Sequence, residues 1–309
     1  MKILISTSSF AEYDKSPLRL LESNRFEVVL NPYKRKLKPE EVVALAKDCA
    51  GIIAGTEPLT EKVLQQLTGL KAISRCGAGL DNVDVGAARK HGIAVKATPD
   101  APTQAVAELT VALILNVLRR INFMDRQVRG GTWSKEMGQL LSGKTTGIIG
   151  LGRIGRRVVE LLRPFEVKIL ASEPKPDRKW VKKNKVRLTS LEELLRESDV
   201  VTLHIPYTEK NRNLINAKRL KIIKRGAILI NTSRGGLVDE GVLYQALKAG
   251  HLGGAALDAM VTEPYHGPLK ELDNVILTPH VGSYALEARV QMEIEATKNL
   301  INMLTEGRK

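Results

Sequence analysis

Thr146-Gly147-Ile148-Ile149-Gly150-Leu151-Gly152-Arg153-Ile154-Gly155 is the stretch that decides the fold. A short β-branched run turns through G-x-G-x-x-G into an amphipathic helix near Ile154–Leu162. At such a turn Gly150 permits the tight bend and Gly152 removes the side chain that would block a pyrophosphate. Gly155 lets helix and strand pack closely, and the helix N-terminus faces the phosphates. A second strand, Lys168–Ser172, ends in Glu173 about 20 residues on, where a carboxylate accepts hydrogen bonds from ribose hydroxyls. Strand, loop, helix and acid in that order predict a dinucleotide site. The acid favours NAD over NADP, because a carboxylate repels a 2′-phosphate. Lys175 and Arg178 lie close enough in sequence for a rearranged loop to offer that phosphate positive charge.

On either side, short apolar runs alternate with helical segments. Ile3–Ile5, Val28–Leu30, Ile52–Ala54, Ala72–Ser74 and Ile93–Val95 form one βα series. Thr146–Ile149, Lys168–Ala171, Val200–His204, Ala227–Asn231, Ala255–Asp258 and Val275–Leu277 form another. The pattern predicts an α/β chain of two doubly wound parallel-sheet domains, of the Rossmann and flavodoxin kind. Residues 1–100 with 285–309 would make the first and 101–284 the cofactor domain. Asp100 and Pro102 open a long apolar helix, Ala101–Ile121, that would link them. Ala285–Leu304 is helical with no strand of its own and is expected to pack back onto the first domain. There is no internal repeat.

Composition narrows the class. In 309 residues, 43% are hydrophobic and 4% aromatic, enough for two cores. The longest apolar run, Leu109–Leu118, is about half the ~20 residues of a membrane span. The N-terminus reads as a strand and not as a secretory signal, which leads us to expect a cytoplasmic protein without a membrane partner. Cys49 and Cys76 lack metal-ligand spacing and make no disulfide framework, so no metal is expected. Forty-eight Lys and Arg against 34 Asp and Glu give a net charge of +14. The excess lies in short runs such as Lys34-Arg35-Lys36 with few aromatics nearby, which suits solvated faces better than a nucleic-acid groove.

Three strand ends carry polar residues that a buried core does not need: Asn231–Gly235, Asp258 with Thr262-Glu263-Pro264, and Thr278–Gly282. In open α/β sheets such ends surround the ligand. Hydride transfer to a 2-keto acid needs a cation for the carboxylate, a proton donor for the developing alkoxide, and a group that orients the donor. Arg234 can clamp a carboxylate bidentately, His280 can give and retrieve the proton, and Glu263 can orient its imidazole.

Taken together with Cys76–Asp84, Ala105–Glu108, Gly131-Thr132-Trp133 and His204-Ile205-Pro206, these motifs resemble the D-isomer-specific 2-hydroxyacid dehydrogenases over nearly the whole chain, and among them the D-3-phosphoglycerate dehydrogenases. The resemblance implies a cleft between the domains and a homodimer built through the cofactor domains. It implies that Arg234 binds the substrate carboxylate while Glu263 pairs with His280, the acid/base. The backbone of Gly77-Ala78-Gly79 would hold the other end of the substrate, with Asn82 steadying that loop. Thr103, Arg153, Ile154, Glu173, His204, Ile205, Pro206, Thr232, Ser233, Asp258, His280 and Gly282 fall where the family meets NAD, Asp258 reaching toward the nicotinamide carboxamide. The implied substrate is a small anionic 2-hydroxy acid, 3-phosphoglycerate of serine biosynthesis first, then glyoxylate, hydroxypyruvate or another short 2-keto acid. Arg75 and Lys135 are the candidate phosphate ligands. Glu57 stands where many phosphoglycerate dehydrogenases carry an Arg, and would repel phosphate if it pointed inward. A reading of a different class, an NAD-sensing corepressor, shares the resemblance.

Overall fold

The computed structural model describes residues 1–305, in two compact units. One comprises Met1–Pro102 and the segment from Ser283 on; the other is Thr103–Gly282. In the first unit β1 (Lys2–Ile5), β2 (Glu27–Leu30), β3 (Gly51–Ala54), β4 (Ala72–Arg75) and β5 (Ala94–Ala97) form a parallel sheet in the order 2-1-3-4-5. Helices α1 (Ser16–Ser23), α2 (Pro39–Ala46), α3 (Glu61–Leu64) and α4 (Val85–Lys90) connect the strands. Pro39 with the Glu41 carboxylate on the Lys38 amide starts α2, and Asp84 caps α4 through the Ala87 amide at 2.8 Å.

The second unit opens with α5 (Thr103–Arg119) and α6 (Ile121–Arg129). The single helix expected to reach Ile121 stops two residues earlier. Arg120 takes a left-handed φ of 52° and breaks it into two. There follow β6 (Thr145–Ile149), α7 (Arg153–Leu162), β7 (Lys168–Ser172), α8 (Arg178–Lys183), β8 (Arg187–Leu188), α9 (Leu191–Glu197), β9 (Val200–Leu203), α10 (Ala217–Ile222), β10 (Ile228–Asn231), α11 (Glu240–Lys248), β11 (Gly254–Leu257) and β12 (Val275–Leu277). All pairings are parallel, in the order β12-β11-β10-β9-β6-β7-β8. Counted within the unit this is the doubly wound order 3-2-1-4-5-6 with one further strand. The switch of direction lies between β6 and β9, where such sheets bind ligands.

Each sheet is covered on both faces, which is why its strands read as continuous apolar runs. In the second unit Ile148, Val200, Ile230 and Ala256 face Ile114 of α5 and Val158 of α7, while Leu203, Leu229 and Leu257 face Leu195 of α9 and Leu243 of α11. In the first unit the last helix, α12 (Leu286–Thr305), buries Met292, Ala296, Leu300 and Leu304 with Ile3, Ile5 and Ile53. Gly51 makes room for it: a Cβ there would lie 2.9 Å from Leu300 Cδ1. The buried Arg289–Glu293 pair of α12 (2.7 Å) is completed by the Ala11 amide, which donates to Glu293 Oε2 at 2.8 Å. No described helix is long and apolar enough to cross a membrane.

Candidate active site

The glycine loop between β6 and α7 shows a separate reason for each of its glycines. Gly150 has φ 97°, and a Cβ on it would lie 2.5 Å from Ile205 Cγ2 and 2.6 Å from the His204 carbonyl oxygen. A Cβ on Gly155 would run into the Gly150 carbonyl, so any other residue would push helix and loop apart. Around the Cβ position of Gly152, by contrast, no heavy atom lies within 4 Å. That open space, at the first turn of α7, is where a side chain would have stood and a pyrophosphate can approach.

Glu173, just past β7, accepts the Leu151 amide at 2.9 Å on Oε2 and the Lys175 amide at 3.0 Å on Oε1. It therefore braces the loop as well as standing where ribose hydroxyls are expected, since a carboxylate has about four acceptor sites. Arg153 and Ile154 open α7, Thr103 opens α5, and Pro206 accepts the Asn211 side-chain amide at 2.7 Å. Thr232 Oγ1 lies 2.9 Å from Thr110 Oγ1, and Ser233 Oγ donates to the Leu203 carbonyl at 2.6 Å. His204 is buried, its Nε2 3.0 Å from Thr202 Oγ1, while Nδ1 has no partner among the described residues. Burial holds its pKa down at about 3, so the ring is neutral. An open glycine cradle, a helix N-terminus and an unmatched buried nitrogen along one edge of the sheet fit a dinucleotide.

At the carboxyl ends of β10, β11 and β12 the three proposed catalytic side chains come from one unit. His280 Nδ1 lies 3.0 and 3.2 Å from the two oxygens of Glu263, and Glu263 Oε1 also accepts the Met260 amide at 3.2 Å. Both side chains are partly exposed. His280 has φ 56°, a turn conformation held from below by Asp258. That buried carboxylate, 1% exposed, accepts Thr278 Oγ1 at 2.7 Å and the Val281 amide at 2.8 Å on Oδ1, and the Gly282 amide at 2.8 Å on Oδ2. Expected at the nicotinamide, Asp258 has both oxygens engaged in shaping the His280 turn, with capacity for one further bond at most. Arg234 follows β10, with its carbonyl accepting Asn231 Nδ2 at 2.8 Å and its Nη1 donating to the Ser233 carbonyl at 2.9 Å. Gly235 beside it lies against the Met260–Val261 peptide, which any Cβ would overlap.

The first unit presents the Gly77-Ala78-Gly79 loop after β4. Gly77 has φ 141°, and its amide donates to Thr98 Oγ1 at 2.7 Å. Asn82 steadies the loop by donating to the Gly55 and Glu57 carbonyls at 3.2 and 2.7 Å. Two charged side chains named from the sequence are placed here. Arg75, a candidate phosphate ligand, is buried and folded over its own loop, donating through Nη1 to the Cys76 carbonyl and through Nε to Asn82 Oδ1 at 3.3 Å. It covers the very space a Cβ of Gly77 would need. Glu57 is 1% exposed and turned inward onto Ser6 Oγ and the Gly55 amide (3.0 Å). Lys135 sits exposed between α6 and β6, in a stretch without regular structure. Both cysteines are buried, and burial pushes the Cys76 thiol up to about 11.

Sequence reasoning passed over Ser6 and Thr98, whose hydroxyls shape the loops of the first unit from distant positions. Their only signal was a polar residue just beyond a strand.

Residues 111–282 match the family profile of the D-isomer specific 2-hydroxyacid dehydrogenase NAD binding domain. A glyoxylate reductase of Thermofilum pendens is 42% identical over 81% of this chain and 76% of its own length. A D-3-phosphoglycerate dehydrogenase of Archaeoglobus fulgidus is 35% identical over 98% of this chain; the match spans 57% of that longer relative. A solved protein structure from Thermus thermophilus superposes with a TM-score of 0.90 at 36% identity, covering 100% of this chain and 98% of that one.

Proposed function

This chain belongs to the D-isomer-specific 2-hydroxyacid dehydrogenases, NAD-dependent oxidoreductases, and from that premise we propose that it reduces a short, unphosphorylated 2-keto acid of the glyoxylate or hydroxypyruvate type. Bound NADH supplies the hydride. Arg234 holds the substrate carboxylate with its planar fork. His280, whose Nδ1 is taken by Glu263, donates a proton from Nε2 to the developing alkoxide. Glu263 keeps the imidazole in that tautomer and orientation. In the reverse direction the neutral imidazole takes the proton back.

The observation that carries the choice of substrate is Arg75. A phosphate needs more than one strong donor, and the arginine nearest the Gly77 loop in sequence is committed to Cys76 and Asn82. Glu57, whose backbone carbonyl accepts that same Asn82, is an acid in place of a second cation and is turned onto Ser6 and the Gly55 amide. 3-Phosphoglycerate remains the second reading, favoured by the phosphoglycerate dehydrogenase relative that aligns over 98% of the chain. The test is kcat/KM for hydroxypyruvate against 3-phosphohydroxypyruvate, which differ only by the phosphate. Equal or better turnover of the unphosphorylated acid supports the first reading. A preference for the phosphorylated acid that fades as salt rises supports the second.

We read the second unit as the dimerisation unit. Helix α6 buries none of its residues, and the segment after it exposes Trp133 (84%), Met137 (93%) and Leu140. So much bare apolar surface is what a homodimer would cover. Sedimentation of a monomer at micromolar concentration would remove this reading.

A further inference from the structure

Glu240, the first residue of α11, stands outside the constellation described above. Asp239 already caps this helix, accepting the Val242 amide at 3.1 Å, so Glu240 is not needed for that task. Its side chain instead reaches across to the loop after β11, where Oε1 accepts the Val261 amide at 2.7 Å. The preceding amide, Met260, is the one that donates to Glu263 Oε1. Two consecutive peptides of this loop are thus each tied to a carboxylate, one belonging to Glu263 and the other to α11. The Met260–Val261 peptide is also the one packed against Gly235, next to Arg234. Two adjoining peptide planes, hinged at the Met260 Cα, therefore link the proposed carboxylate clamp to the partner of the proposed acid/base. The hydrogen bond from Glu240 is its tether to the rest of the unit.

We infer that Glu240 is a positioning residue: through the Val261 amide it fixes the Met260–Val261 peptide against Gly235, beside Arg234, and thereby the adjoining Met260 amide that aims Glu263 at His280. The titratable groups facing it are Asp239, Glu263 and Tyr265. Burial with the negative charges of Asp239 and Glu263 raises its carboxyl above the ordinary carboxylate range. A partly buried acid held among other acids is costly to keep, and the bond to Val261 is what it gains.

The inference rests on the reading of His280 and Glu263 as acid/base and orienter, and the test separates the two. In the full-length enzyme with NADH and the preferred keto acid, Glu240→Ala should lower kcat about tenfold, the scale of one hydrogen bond. The keto-acid KM and the NADH dissociation constant should stay near wild type. The decline of reductive kcat/KM should begin at lower pH, because a loosened Glu263 favours imidazolium less. Glu240→Gln keeps an oxygen for the same amide and should restore both rate and pH profile. Wild-type rate and profile in Glu240→Ala overturn the inference. So does equal impairment of the Gln and Ala variants, which would make charge and not the hydrogen bond the cause. Loss of NADH binding together with a fall in melting temperature would reduce Glu240 to a structural residue and overturn it too. Should Glu263→Gln leave the pH profile untouched, the acid/base reading itself falls. A silent Glu240→Ala beside an altered Glu263→Gln sinks only the inference about Glu240.

Discussion

Asp258 Oδ1 accepts the Val281 amide at 2.8 Å, and through that bond a buried carboxylate under the sheet edge dictates the left-handed turn in which His280 sits. Asp258→Asn keeps one acceptor and sets an amide NH₂ against the Val281 or Gly282 N–H. An unsatisfied buried donor costs about 1–3 kcal/mol. The variant should melt at lower temperature and lose kcat more than NADH affinity. A variant with wild-type melting and kcat would show that the turn holds itself.

Arg234→Lys keeps the charge and loses the fork that matches a carboxylate in two places. We expect kcat/KM to fall at least tenfold on every 2-keto acid, with NADH affinity little changed. Fluorescence titration of NADH alongside initial rates separates the two, and unchanged rates would release Arg234 from its role.

Glu173 serves both the loop and the cofactor preference. Glu173→Ala removes the acceptor of the Leu151 amide and the charge that opposes a 2′-phosphate. It should weaken NADH binding and narrow the NADH to NADPH ratio of kcat/KM, each tenfold being about 1.4 kcal/mol. Equal wild-type efficiency with both cofactors would refute the reading.

Glu263→Gln retains a hydrogen bond to His280 Nδ1 and removes the charge. Reduction needs imidazolium and oxidation needs neutral imidazole. The variant should therefore lose reductive activity at lower pH than wild type while oxidation tolerates lower pH. pH profiles in both directions, shifted in opposite senses of benefit, are the signature; superimposable profiles would end the assignment.

His204 titrates near 3 in the folded chain and at its ordinary 6.5 when unfolded. Below 6.5 the unfolded chain binds a proton that the folded chain refuses. The stability contributed by the neutral ring is thus complete above 6.5 and lost as pH falls toward 3, by up to about 1.4 kcal/mol per pH unit. His204→Gln carries no such proton, so its stability deficit against wild type should shrink between pH 7 and pH 4. A deficit constant with pH in chemical denaturation would contradict this.

What the sequence made legible and what it hid divides along physical lines. The glycine loop could be read because Gly150 and Gly155 answer backbone demands that no other residue meets, and such demands are local. The strands could be read because both faces of each sheet are covered, leaving short, mostly apolar runs in which residues such as Thr202 and Ser74 are buried exceptions. Arg75 could not, since a long flexible side chain after a strand can turn outward to a ligand or back over its own loop. The decision lies with Gly77 and Asn82, and with how closely they pack. Glu57 was ambiguous for the same reason, its fate set by Ser6, fifty-one positions away in the chain. Glu240, and the hold that Asp258 has on the His280 turn, were hidden more deeply, because hydrogen bonds to amides 20 or more residues distant leave no mark of spacing or periodicity. The break at Arg120 was invisible because a left-handed arginine has no signature in composition.

The seating of α12 over Gly51 bears on the order in which the chain can assemble. Residues 103–282 are continuous and can begin to fold as soon as they leave the ribosome, whereas the sheet of the first unit waits for a helix that comes after them in the chain. Until that helix arrives, Ile3, Ile5 and Ile53 lack their cover. The strands made first therefore stay bare on that face until α12 has followed the whole of the second unit out of the ribosome, and it is this helix that ends their exposure to chaperones and proteases.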